Sequence, residues 1–247
     1  MDLGLKGRVA IVCGASAGIG LAVAESLTEE GANVAMFARR RDVLEREAER
    51  LGALAVRGDV RDPRDLDNLV DRTLAAFGGI DILVNNSGGP PRGPLREADA
   101  AALEEAVELL LLSAARLTLR CLPHLERNGH GRVITIASSS VREPVENLAL
   151  SNAVRPGVVG WMKTLAREAG STGVTVNVIA PGQIDTARIR EIYPEGPSEQ
   201  ALQRIPLHRL GSAREIGDVV AFLASDRASY ITGAVVPVDG GLTRGLL

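Results

Sequence analysis

The chain has 247 residues, 45% of them hydrophobic, and a formal net charge of −3. That length holds two small domains or one larger α/β domain, and the absence of a Pro/Gly/Ser-rich linker favours one. The near-balanced charge gives no basic footprint for nucleic acid or an anionic membrane surface, and no run reaches the eighteen or so apolar residues of a membrane helix.

Near the N-terminus the apolar run Val9–Cys13 is too short for a signal sequence and is cut off by Gly14, so a cytoplasmic protein is expected. Cys13 and Cys121 both lie in apolar stretches and read as reduced, buried thiols. Lys6 and Lys163 are the only lysines, which we attribute to genome composition or heat adaptation.

Short apolar runs alternate with longer helical patterns along the whole chain. "RVAIVCG" is followed by "IGLAVAESLTEEGA", "NVAMFAR" by "RDVLEREAERLG", and "ALAVRGDV" by "DPRDLDNLVDRTLAAFG". After "DILVNNSG" come a long helical pattern through 97–127, "RVITIAS", a helix over 151–170, "VTVNVIAPG", one more helix, and "AVVPVDGG". Continuous apolar strands joined by helical crossovers predict a doubly wound, Rossmann-type parallel sheet with helices on both faces, in a single α/β domain over 1–247. Asp62 before Pro63 reads as an N-cap followed by proline at the first helical position. The stretch 186–207, "TARIREIYPEGPSEQALQRIPL", breaks the alternation near a strand's carboxyl end and is expected to be a substrate lid.

The first strand ends in "CGASAGIG", which puts Gly14, Gly18 and Gly20 at a strand-to-helix turn. Glycines there let the backbone approach a pyrophosphate lying on the first amides of a helix beginning near Ile19. Such a turn also serves helix–strand packing, so the spacing alone is a weak signal. The second strand ends "AMFARRR". Ala38 stands where an acidic residue would hold a ribose 2′-hydroxyl, and Arg39 with Arg40 suits a 2′-phosphate, so NADP is expected over NAD. Asp59 and Val60 end the third strand, where a carboxylate could take an adenine amino group, and "NNSGG" ends the fourth. No metal site is expected.

Six stretches carry a family resemblance: "GASAGIG" at 14–20, preceded by Cys13 rather than threonine, "GDV" at 58–60, "NNSG" at 85–88, "VITIASS" at 133–139, "VNVIAPG" at 176–182 and "ASYITGAVVPVDGG" at 228–241. In this order and over essentially the whole chain they resemble the short-chain dehydrogenase/reductase family, and within it the 3-oxoacyl-acyl-carrier-protein reductases. The resemblance implies hydride transfer between NADP and a carbonyl or acyl thioester substrate. It also implies that Ser16 belongs with Gly14, Gly18, Ile19 and Gly20 at the cofactor, that Asn86 and Gly88 line its adenosine side, and that Pro181, Gly182, Ile184 and Thr186 cradle its nicotinamide end.

At the catalytic site the resemblance breaks. It implies a serine that holds the carbonyl, a tyrosine thirteen residues on that gives the proton, and a lysine four further that holds the ribose; an asparagine sits on the preceding long helix. Ser138 matches the serine, but the other positions are Ser151, Arg155 and the neighbourhood of Leu110. Lys163 lies eight residues beyond Arg155, about 12 Å along a helix axis, and cannot substitute by sliding. Serine is a far weaker acid than tyrosine, and arginine is in practice never deprotonated. Arg155 can hold ribose hydroxyls and stabilise negative charge, or the Ser151–Arg155 pair has no reactive role. Tyr193 and His208, flanking the lid, are the remaining proton-donor candidates. Pro156 reads as tolerable only close to a helix start. Two functional readings therefore stand: an NADP-linked reductase with an atypical proton donor, or an inactive nucleotide-binding sensor or assembly partner. Apolar excess on the helices at 97–127 and 151–170 predicts subunit packing, by resemblance a homotetramer joined also through the C-terminal "VDGGLTRGLL".

Overall fold

The computed structural model describes residues 1–127 and 129–245. Seven strands form one parallel sheet: β1 (Val9–Cys13), β2 (Asn33–Ala38), β3 (Leu54–Arg57), β4 (Ile82–Asn85), β5 (Arg132–Ile136), β6 (Thr175–Pro181) and β9 (Val235–Val238), in the order β3-β2-β1-β4-β5-β6-β9. The order reverses between β1 and β4, which makes the carboxyl edge there the crevice that ligands occupy in such sheets. The doubly wound reading holds.

The strands are apolar throughout because both faces are covered. On one face Ile11, Leu83 and Val133 pack under α3 (Pro63–Phe77), α4 (Ala100–Val107), α5 (Ser113–Leu125) and α6 (Ala149–Glu168). On the other, Val12, Val84 and Ile134 pack under α1 (Gly18–Glu29), α2 (Arg41–Leu51) and α9 (Ala213–Ala224). Gly217 lets α9 lie against α1, since a Cβ there would stand 2.6 Å from the carbonyl oxygen of Ala22. Asp62 caps α3 as expected, its carboxylate accepting the Arg64 amide at 2.9 Å ahead of Pro63.

Three local readings are corrected. The third strand stops at Arg57, so Asp59 and Val60 lie in the turn beyond it. The long pattern through 97–127 is not one helix: a π-helical turn, Glu108–Leu112, separates α4 from α5. Pro156 is the eighth residue of an unbroken α6, well inside it. It is tolerated because it is exposed, so the Asn152 carbonyl left without a donor faces the wet side of the helix.

The 186–207 stretch folds as α7 (Ala187–Ile192) and α8 (Glu199–Gln203), bracketed by a two-stranded parallel pair, β7 (Ile184–Asp185) and β8 (Gly211–Ser212). Cys13 and Cys121 are free and buried, as expected. Among the described residues no helix is long and apolar enough to cross a membrane, and no cluster of His, Cys, Asp or Glu could hold a metal.

Candidate active site

The turn after β1 is built by backbone constraints. Gly14 and Gly18 have φ of +63° and +57°, where a side chain is strained. A Cβ on Gly20 would stand 2.3 Å from the Gly14 carbonyl oxygen, and one on Gly14 would stand 2.6 Å from Asn86 Nδ2. That amide donates to the Cys13 carbonyl at 3.1 Å, so Asn86 ties the end of β4 to the end of β1 as well as bordering the crevice. Ala17, at the N-cap of α1, offers no capping side chain, which leaves the first amides of the helix for a ligand. Ser16 is buried, and burial pushes the neighbouring Cys13 thiol up to about 12, so it is no nucleophile.

At the end of β2, Ala38 is buried while Arg39 and Arg40 are exposed. Neither forms an ion pair among the described residues, whereas Arg41 is engaged by Glu45 at 2.9 Å. Asp59 is less free than expected. Arg61 grips it with Nε at 3.2 Å and Nη2 at 2.8 Å, and this fork holds its carboxyl below the ordinary carboxylate range.

Ser138 caps the 3-10 turn that follows β5, its Oγ accepting the Ser140 amide at 3.2 Å. Ser140 then reaches the first turn of α6, with its Oγ 3.1 Å from Ser151 Oγ. One turn on, Arg155 Nε donates to Ser151 Oγ at 3.2 Å and Nη1 donates to the Ile136 carbonyl at 3.3 Å. The predicted pair is therefore joined, and it has a third member that sequence reasoning missed. The only available signal was the serine run at 138–140.

Arg155 is 9% exposed and has no carboxylate partner among the described residues. Burial, and then the charge of Arg188, push its guanidinium down to about 10, which leaves it cationic at neutral pH. It borders a cavity at the crevice with Val60, Asn85, Asn86, Leu110 and Ser113. Leu110, at the place where the resemblance implies asparagine, is buried in the π-helical turn and supplies no polar group.

Other expected donors fall away from this cavity. His208 is exposed and half-buried Tyr193 ends α7; neither borders it, and Ser138, Ser140 and Ser151 do not line it directly either, Ser151 and Ser140 being joined to it through Arg155. Lys163 donates to the Gly233 carbonyl at 2.9 Å, well removed from Arg155. At the carboxyl edge of the sheet β6 ends at Pro181, and Gly182 is required by the chain itself, since a Cβ would lie 2.7 Å from Asp239 Cα. Ile184 is buried in the core, Thr186 stands against Gly18, and Gly88 is exposed on the loop after β4. Gln183, unforeseen from the sequence, has a buried Oε1 with no partner among the described residues.

A family model described as enoyl-(acyl carrier protein) reductase matches residues 14–243. The 3-oxoacyl-[acyl-carrier-protein] reductase FabG of Escherichia coli is 38% identical over 97% of this chain and 99% of its own. A Serratia marcescens short-chain dehydrogenase/reductase, solved as a mutant, superposes with a TM-score of 0.89 at 34% identity over 97% of this chain and 99% of its own. The protein is a short-chain dehydrogenase/reductase. L-sorbose reductase from Gluconobacter frateurii, solved with NADPH and L-sorbose, is similar over 100% of both chains with a TM-score of 0.93 and 33% identity. The expected cofactor, NADP, is thus the one carried by a close structural neighbour. Next to the cavity this chain joins two serine hydroxyls, Ser140 and Ser151, to the buried Arg155 guanidinium, and among the described residues no phenol or amine lines that cavity.

Proposed function

We propose that the protein is an NADP-dependent carbonyl reductase of the 3-oxoacyl type in which a buried guanidinium takes over charge stabilisation from a missing acid. The observation that carries this reading is Arg155, a buried cation with no counter-charge among the described residues, at the crevice between the glycine turn and the Ser138 turn. Burying a charge costs several kcal/mol (about that much even after relaxation), so the fold keeps it at the expense of stability.

The residues present fit the cofactor. The side-chain-free turn at Gly14, Gly18 and Gly20 would hold the pyrophosphate, with Ser16 and Ile19 beside it, and Arg39 supported by Arg40 would hold the 2′-phosphate. Asp59, Val60, Asn86 and Gly88 would serve the adenosine side, and Pro181, Gly182 and Thr186, backed by the core residue Ile184, the nicotinamide side. NADPH would supply the hydride. Ser138 holds the carbonyl oxygen. Arg155 Nε donates to one lone pair of Ser151 Oγ, and the Ser151 hydroxyl, paired with Ser140 Oγ at rest, can turn its own hydrogen to the substrate oxygen during reaction. Arg155 opposes the negative charge that develops on that oxygen, and water delivers the proton. The 186–207 segment acts as the substrate lid.

The second reading, a nucleotide-binding protein without turnover, is favoured by one observation: among the described residues no histidine, aspartate or glutamate borders the cavity. NADPH oxidation with 3-oxoacyl thioesters and simple ketones separates the two. Turnover that Arg155→Ala removes supports the reductase, whereas tight NADPH binding with no turnover on any carbonyl supports the sensor or assembly partner.

Assembly as a homotetramer in the cytoplasm completes the proposal. Leu103 and Leu119 are exposed on α4 and α5, as is Tyr230 near the C-terminal strand, and buried reduced thiols suit a reducing compartment. A light-scattering mass near 26.0 kDa, that of one chain, would contradict the tetramer.

A further inference from the structure

The segment between β4 and α4 runs across the carboxyl edge of the sheet and is tethered at three points. At its start Asn86 donates to the Cys13 carbonyl. At its far end the Gly93 amide donates to Asn147 O at 2.9 Å and the Gly93 carbonyl accepts from the Ala149 amide at 3.4 Å. These bonds form a one-residue parallel bridge directly ahead of the helix that carries Ser151 and Arg155. Between the two ends, Arg188 of α7 donates from Nη1 to Gly89 O at 3.3 Å and from Nη2 to Pro90 O at 2.9 Å.

The sequence of this strap suits a latch. Pro90 and Pro91 restrict the backbone on their own side and that of the preceding residue, so the middle of the strap moves as a stiff piece. Gly89 leaves room for the guanidinium, since a Cβ there would stand 2.8 Å from Arg188 Nη2. Two residues before Arg188, Thr186 stands against Gly18 of the nucleotide turn. Residues 186–188 thus touch the glycine turn and the strap at once.

We propose that Arg188 is a positioning residue that latches the 86–93 strap to α7 across the site, and that release of this latch sets how fast NADPH enters and leaves. Arg188 has no carboxylate partner among the described residues and is held only by neutral carbonyls, a bond that can open without leaving an acid behind. A planar fork reaches two carbonyls at once; a lysine ammonium, a point charge, does so poorly. The gating half of the proposal rests on the cofactor reading above, and the latch itself does not.

Limited trypsin digestion of the ligand-free protein reads the latch through cleavage after exposed Arg92, followed by mass spectrometry in the wild type, Arg188→Ala, Arg188→Lys and Gly89→Ala. Cleavage at Arg92 should rise about tenfold in Arg188→Ala and in Gly89→Ala, with only part of the protection kept by Arg188→Lys, as loss of charged hydrogen bonds of this kind implies. Stopped-flow NADPH fluorescence should show dissociation accelerated by a similar factor in the same variants. Wild-type cleavage in both Arg188→Ala and Gly89→Ala would overturn the latch. Faster cleavage with NADPH exchange at the wild-type rate would overturn the gating. A wild type that binds no NADPH would overturn the cofactor reading and the gating together, while the cleavage result would still decide the latch.

Discussion

At the glycine turn the backbone leaves little choice of residue, whereas at the start of α6 it accepts many. A Cβ on Gly20 meets a carbonyl oxygen at 2.3 Å, and a Cβ on Gly14 meets a side chain that itself ties two strands together. Ser151 and Arg155 sit on an ordinary helix face one turn apart, where tyrosine and lysine would have the same backbone. Nucleotide binding in this fold is therefore protected by packing, since losing it disturbs the sheet. At α6 the backbone itself sets no such demand, and what holds Ser151 and Arg155 is their burial and their bonds to Ser140 and the Ile136 carbonyl.

The contrast breaks most visibly if the exchange is reversed. Ser151→Tyr with Arg155→Lys should raise carbonyl reduction roughly 10²–10⁴-fold, the usual contribution of general acid catalysis, and each single change should do much less because the two act as one unit. Steady-state NADPH oxidation by the wild type, both single variants and the double variant checks this; four equal rates would mean that the α6 pair does not limit turnover.

On the nucleotide side the expected loss is smaller and carries a stability cost. Gly20→Ala should lower NADPH affinity and the melting temperature together, since overpacking costs about 1–3 kcal/mol. Calorimetry on the apo and NADPH-loaded protein shows whether the two fall in step. Arg39→Ala should cost NADPH about tenfold or more in affinity, from a charge-assisted bond of roughly 1.5–3 kcal/mol, and leave NADH and thermal stability unchanged. Equal losses for the two nucleotides would remove the 2′-phosphate from the account.

The smallest expected effect lies at the amino edge of the sheet, far from either site. Burial, helped by Arg132 and Arg8, lowers the His130 pKa even though Asp226 stands 2.8 Å from Nδ1. The unfolded chain then takes up this proton first, near pH 6.5. The contribution of His130 is complete above that value and declines as pH falls through it toward the lowered folded value. The melting temperature should drop modestly between pH 7.5 and about 5.5, and His130→Gln should flatten the drop.

Much of the fold was legible because continuous apolar strands and amphipathic helices alternate without interruption. The glycine turn, the exposed arginines after Ala38 and the Ser151–Arg155 contact were legible for the same reason: each depends on residue type at a fixed spacing. What was not legible depends on how distant segments meet. Ser140 enters the site only because the turn after β5 aims it at α6. The Arg188 contacts span 98 and 99 positions, and no periodicity marks them. The π-helical turn at 108–112 adds one residue to a helical turn inside an apolar run that reads equally well as plain helix.

In the proposed reaction Arg155 acts as a charge and not as a packing residue. Its most direct test is turnover and NADPH affinity measured together for the wild type, Arg155→Lys and Arg155→Ala. A loss of turnover in Arg155→Ala of about 10²-fold or more, as removal of one oxyanion-stabilising donor produces, with partial retention in Arg155→Lys and NADPH affinity within a few-fold, is the predicted result. Undiminished turnover in Arg155→Ala, with its fold and NADPH binding intact, would contradict it.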